Sequence, residues 1–132
     1  MTIIYTPVYA ALLALIILLL AFKVVLLRRK HKVGIGTKGE RDLAQAVRVH
    51  ANAIEYVPIT LIVMVCAEWL GAGALIINIC GACLLFGRIL HAYGLGRSAG
   101  VSFGRYYGTI FTWLAIVIAS MSVLLISAQR VV

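Results

Sequence analysis

Four apolar stretches constrain this chain more than any other feature: Pro7 to Leu27, Ala53 to Leu70, Ala74 to Leu95 and Tyr107 to Ala128. Each approaches the roughly 20 consecutive apolar residues that carry a helix across the hydrocarbon core of a bilayer. The composition agrees, with 64% hydrophobic and 12% charged residues, a balance that suits lipid rather than water as the solvent. Four spans use nearly all of the 132 residues, so residues 1–132 read as one transmembrane domain with no room for a second. The expected fold is all-α, an integral membrane four-helix bundle.

The net charge of +8 is concentrated between the spans. Arg28, Arg29, Lys30, Lys32, Lys38, Arg41 and Arg48 follow the first span, and Arg97 and Arg105 follow the third. Basic loops stay on the cytoplasmic side, which places both termini and the Gly71-Ala72-Gly73 turn on the other face. Arg130 alone argues against that orientation. The basic excess is thus a topology signal, and no soluble module carries it toward a nucleic acid.

Several motifs mislead. The first span resembles a secretory signal, but its positive charges follow the apolar run instead of preceding it, and Thr6-Pro7 reads as a helix N-cap followed by the first helical residue. It is therefore expected to be an uncleaved anchor. Cys80-Gly81-Ala82-Cys83 matches C-x-x-C but lies inside a span, so it and Cys66 read as packing residues. Gly34, Gly36 and Gly39 form G-x-G-x-x-G, yet a membrane span precedes them where the dinucleotide fingerprint needs a strand. A flexible, solvated loop is expected there, with the second helix starting near Glu40-Arg41-Asp42 and rising above the lipid as far as Asn52. No metal-ligand set is evident.

Charged and polar side chains within spans are costly, about 2.5–3.5 kcal/mol each on insertion scales, so they should face partners or water. Arg48, Asn52 and Glu55, spaced i, i+4, i+7, share one face of the second helix. Tyr56 flanks that stripe and His50 lies off it. On the third helix Arg88 and His91 share a face. One reading has Glu55 and Arg88 as a structural ion pair between helices, and Arg48 snorkelling at the membrane edge. The other has the stripe binding a zwitterion that carries carboxylates and an ammonium. Glu68 beside Trp69 reads as an interfacial charge next to an aromatic anchor, and Trp113 as packing.

The segment Arg48-Val49-His50-Ala51-Asn52-Ala53-Ile54-Glu55-Tyr56-Val57-Pro58 resembles the second-helix signature of the membrane-associated proteins in eicosanoid and glutathione metabolism, the MAPEG family, and in particular its short bacterial members. Gly87-Arg88-Ile89-Leu90-His91-Ala92-Tyr93-Gly94 resembles the third-helix motif, and the four-span layout extends the likeness over nearly the whole chain. The resemblance implies a homotrimer in a bacterial inner membrane that binds glutathione between subunits near the cytoplasmic face. Arg48, Asn52, Glu55 and Tyr56 would hold the tripeptide, and Arg28, His50, His91 and Tyr93 fall at further binding positions. Arg105, at the start of the fourth helix, would be the catalytic residue that activates the thiol. Eukaryotic members of that family place an aromatic one turn after the position of His91, where this chain has Leu95.

The leading expectation is a glutathione-dependent transferase or peroxidase acting on lipophilic electrophiles drawn from the membrane. The alternative is a non-catalytic lipid- or glutathione-binding scaffold of the same architecture. A four-helix multidrug transporter ranks low, because such proteins need an acid in the first span and Pro7 to Leu27 has none.

Overall fold

The structure, a computed structural model, describes residues 3–97 and 102–131. It has four helices: α1 (Tyr5–His31), α2 (Arg41–Trp69), α3 (Ala74–Arg97) and α4 (Phe103–Val131). All four contain a window long and apolar enough to cross a membrane. They extend beyond the apolar stretches: the 27 residues of α1 reach about 40 Å at 1.5 Å per residue, against a core of about 30 Å. The first turns of α2 are helical from Arg41, as the sequence suggested. The side chains of Leu95 and Arg97, and residues 98–101 of the connection before Arg105, lie outside the described residues.

The start of α1 differs from expectation. The helix begins at Tyr5, its N-cap is Ile4, and no side chain of its own caps it. Thr6 sits within the first turn, buried. The cap comes from α2: Glu68 accepts the backbone N–H groups of Ile4 and Tyr5 on one oxygen, both at 2.7 Å, and that of Thr6 on the other at 2.9 Å. Glu68 is therefore buried, 6% exposed, and its charge serves a helix end instead of facing the headgroups as expected. A carboxylate takes this role from the Thr6 hydroxyl because it satisfies three orphan amides at the positive end of a helix dipole, with charge-assisted bonds.

At the other end of α1 the expected flexible loop is held in place. Lys32 closes the helix in the left-handed region at φ 53°, and the Val33 N–H reaches the Arg28 carbonyl at 3.0 Å. Gly36 and Gly39 also take positive φ, as a glycine readily does. Arg28 Nη1 donates to the Gly34 and Gly36 carbonyls at 3.0 and 3.1 Å. His31 joins α1 to α2, with Nε2 2.9 Å from Asp42 Oδ2 and Nδ1 3.4 Å from Glu40 Oε2. At the opposite end of the bundle Gly71 turns the chain at φ 94°, and Arg130 Nη2 donates to the Leu70 carbonyl at 2.7 Å.

Leu13, Val57, Met64, Ile77, Leu84, Ala115 and Ala119 form the core, and Cys80 is fully buried among them. The outward faces carry exposed apolar side chains such as Leu18, Leu19, Phe22, Leu124 and Leu125, which suit lipid. Lipid gives helices no hydrophobic reason to associate, so close backbone approach between small residues matters more. Gly87 and Gly108 provide it between α3 and α4: a Cβ on Gly108 would lie 2.6 Å from both the Gly87 carbonyl oxygen and the His91 nitrogen. Gly94 and Gly104 meet in the same way nearer the connection between α3 and α4. Gly81 admits the ring of Tyr9, whose hydroxyl bonds Asn78 Oδ1 at 3.0 Å and ties α1 to α3.

Candidate functional site

The early turns of α2 form one wall of a cleft of about 600 Å³. Arg41, Gln45, Arg48 and Asn52 line it, and their spacing of four, three and four residues keeps them on one helix face. Ala44 leaves room between them. The facing wall is His91 from α3 and Arg105 from α4. The cleft thus has three guanidinium groups and no carboxylate among its lining residues.

Asn52 is held from behind. Arg88 Nη1 donates to Asn52 Oδ1 at 2.6 Å and lies 3.5 Å from the Asn52 carbonyl, while Nη2 lies 3.5 Å from the Gly108 carbonyl. With one lone pair of Oδ1 committed to Arg88, Asn52 keeps its amide N–H groups and a second acceptor position for a ligand. Arg88 itself is 3% exposed, its guanidinium lies 5.6 Å from the Tyr56 ring centroid, and its Nε has no hydrogen-bond partner. Among the described residues Arg88 forms no ion pair. The expected Glu55–Arg88 pair is therefore replaced by Asn52–Arg88. Glu55 points outward instead, its side chain 53% exposed, with an oxygen 3.9 Å from Arg48 Nη1. The physical reason is rotation: Asn52 faces Arg88 while Glu55 is turned outward on α2, and the pair avoids burying a carboxylate. A buried cation without an ion-pair partner behind the cleft adds positive potential to a space whose two walls already carry three arginines.

Of the residues singled out in the sequence, the fold brings Arg48, Asn52, His91 and Arg105 together around the cleft. Glu55 sits beside it through Arg48, and Tyr56 lies under Arg88. Arg28 is occupied with the loop carbonyls. His50 and Tyr93 do not line the cleft, and Tyr93 is 58% exposed. Sequence reasoning missed Arg41 and Gln45. Extending the 48–52–55 stripe backward by i−3 and i−7 finds both.

Arg105 also lines a second, mostly apolar groove of about 270 Å³ with Tyr106, Thr109, Ile110 and Trp113. Trp113 is half exposed on this face, so it is a groove residue and not the packing residue expected. Arg105 thus lines both a cationic cleft and a mostly apolar groove. At the end of α1, His31, Glu40 and Asp42 bring potential metal-ligand atoms within 4.8 Å of one another. His31 meets the two acids through opposite ring nitrogens, and Lys30 Nζ lies 3.3 Å from Asp42. That geometry suits a clasp between two helix ends better than a shared ion.

The sequence profile of the MAPEG family matches residues 6–125. The chain is 37% identical over 113 residues to the inner membrane protein YecN of Escherichia coli strain K12, covering 86% of this chain and 85% of that protein. The YecN of Escherichia coli O6:H1 matches to the same extent. With the four helices and the second-helix motif lining the cleft, these matches establish that the chain is a member of the MAPEG family.

Proposed function

We propose that this protein is a membrane-bound, glutathione-dependent transferase or peroxidase that acts on lipophilic electrophiles. The observation that carries the proposal is the cleft itself, with Arg41, Arg48 and Arg105 facing one space without a carboxylate in its lining. Glutathione has two carboxylates, an ammonium and a thiol that is useful only as its anion. Arg48 suits a carboxylate, the Asn52 amide a backbone carbonyl, and Glu55 at the rim the ammonium. Arg105 would stabilise the thiolate. A free thiol ionises near a pKa of about 8.5, and lowering that by two units takes about 2.7 kcal/mol of preferential thiolate binding, which a guanidinium in a partly desolvated cleft can largely supply. The thiolate would displace a leaving group such as halide from an electrophilic carbon to form a thioether. With a lipid hydroperoxide it would instead attack the terminal oxygen, breaking the O–O bond to release the lipid alcohol and a sulfenic acid that a second glutathione converts to the disulfide and water. The groove along Tyr106, Thr109, Ile110 and Trp113 offers the second substrate a path from the bilayer to Arg105.

The unit would be a homotrimer in an inner membrane, with the basic loops cytoplasmic and both termini opposite. The outward position of Glu55 and Tyr93 and the off-stripe position of His50 would then let a neighbouring subunit complete the site. Addition of glutathione to purified protein in detergent tests the reading: a thiolate absorbance in the difference spectrum supports it. Binding without thiolate, and without conjugation of a reactive aryl halide, favours the non-catalytic scaffold. No glutathione binding removes the enzyme and the glutathione-binding scaffold, and leaves only a lipid-binding scaffold.

A further inference from the structure

The chain has four acidic residues, and each has a partner. Glu40 and Asp42 engage His31 and Lys30, Glu55 lies by Arg48, and Glu68 caps α1. None remains for Arg29 and Lys32, which are exposed at the end of α1 and form no ion pair among the described residues. These two cations line a groove of about 330 Å³ whose apolar side is Val25 and Val33. Arg28 also lines it, but its Nη1 is engaged with the loop carbonyls that shape the groove's edge. The groove shares no lining residue with the arginine cleft. It continues onto the face of α1 that exposes Phe22, Val25 and Leu26, and Ile35 on the adjoining loop is 93% exposed.

We propose that this groove is a binding site for an anionic phospholipid, with the phosphate between Arg29 and Lys32 and an acyl chain along Val25, Leu26 and Phe22. The counter-charge must come from outside the chain, since its own acids are all used. A lipid is the source that also covers the apolar half of the groove, and the site stands at the end of a bilayer-spanning helix, at headgroup level. Basic side chains at a membrane surface favour anionic over neutral lipid by about fivefold each, so two imply a preference of about 25-fold.

The test uses the full-length protein in detergent, offered equal amounts of dioleoylphosphatidylglycerol and dioleoylphosphatidylcholine, with retained lipid counted by native mass spectrometry. Wild type should retain the glycerol lipid about 25-fold better. Arg29→Gln and Lys32→Gln should each lower that preference about fivefold, and both together should bring it near parity. Lys38→Gln, on the same loop but outside the groove, should leave it unchanged. Equal retention of the two lipids by wild type overturns the proposal, as does a Lys38→Gln loss equal to that of Arg29→Gln, which would mean diffuse charge and no site. Displacement of the lipid by an equal concentration of glycerol phosphate would show that the acyl chain adds nothing, and overturns the lipid assignment. Loss of oligomer in the double variant with lipid preference intact would assign the groove to a second copy of the chain, and also overturns it.

Discussion

Replacing Glu68 by glutamine tests the cap that joins α2 to the start of α1. In the native protein one carboxylate oxygen receives the Ile4 and Tyr5 amides and the other receives Thr6. The amide that replaces it keeps one acceptor oxygen. If that oxygen stays with Ile4 and Tyr5, both bonds lose their charge assistance, at a cost of about 1 kcal/mol each, and the new NH₂ group faces the Thr6 N–H, donor against donor. A further buried unsatisfied donor costs about 1–3 kcal/mol, and the lost charge at the helix dipole a few tenths. Because this end of the bundle meets headgroup water, the lower part of the range applies, about 3 kcal/mol in total. For a chain of this length that is a fall in melting temperature of about 10 °C. Thermal unfolding in detergent and hydrogen exchange of the first-turn amides read the effect, with Thr6→Val as comparison. Thr6→Val keeps the side-chain shape and the backbone amide that Glu68 binds, so it should cost less than Glu68→Gln. A Glu68→Gln protein with wild-type melting and unchanged exchange at Tyr5 and Thr6 would refute the reasoning, and a larger loss from Thr6→Val would restore Thr6 as the cap.

Arg105→Ala should abolish the thiolate absorbance while keeping glutathione affinity within about tenfold, or about 1.4 kcal/mol; equal turnover in the variant would sink the assigned role. Glu55→Gln should weaken glutathione binding measured by calorimetry, whereas an unaltered Kd would show that Glu55 serves only the exposed contact with Arg48, a kind of pair worth at most about 1 kcal/mol. Gly108→Ala places a methyl group against Gly87 and His91, so α3 and α4 must separate, at about 1–3 kcal/mol, and His91 must move at the cleft. Melting temperature and glutathione affinity should fall together, and a fall in neither would mean that the interface relaxes freely.

The layout of the bundle was legible in the sequence because it depends on quantities a single chain carries. Length and continuity of the apolar runs mark the four helices, and the glycines at 71 and 73 mark the turn between α2 and α3. The 48–52 stripe was legible for the same reason, since helical spacing alone puts both residues on one face. Spacing also held the signal for Arg41 and Gln45, had the stripe been followed toward the start of α2.

What the sequence could not decide is which face meets which. Glu55 and Asn52 are both within reach of α3 on spacing grounds, and only the rotation and height of the two packed helices select Asn52 as the partner of Arg88. The same holds for Glu68, whose local surroundings suggest a membrane-edge charge until α1 places three unsatisfied amides against it. Periodicity sets the direction of a side chain relative to its own helix axis. Its partner is set by tertiary packing, here through the backbone contacts at Gly87 and Gly108 that bring His91 beside α4, where Arg105 stands.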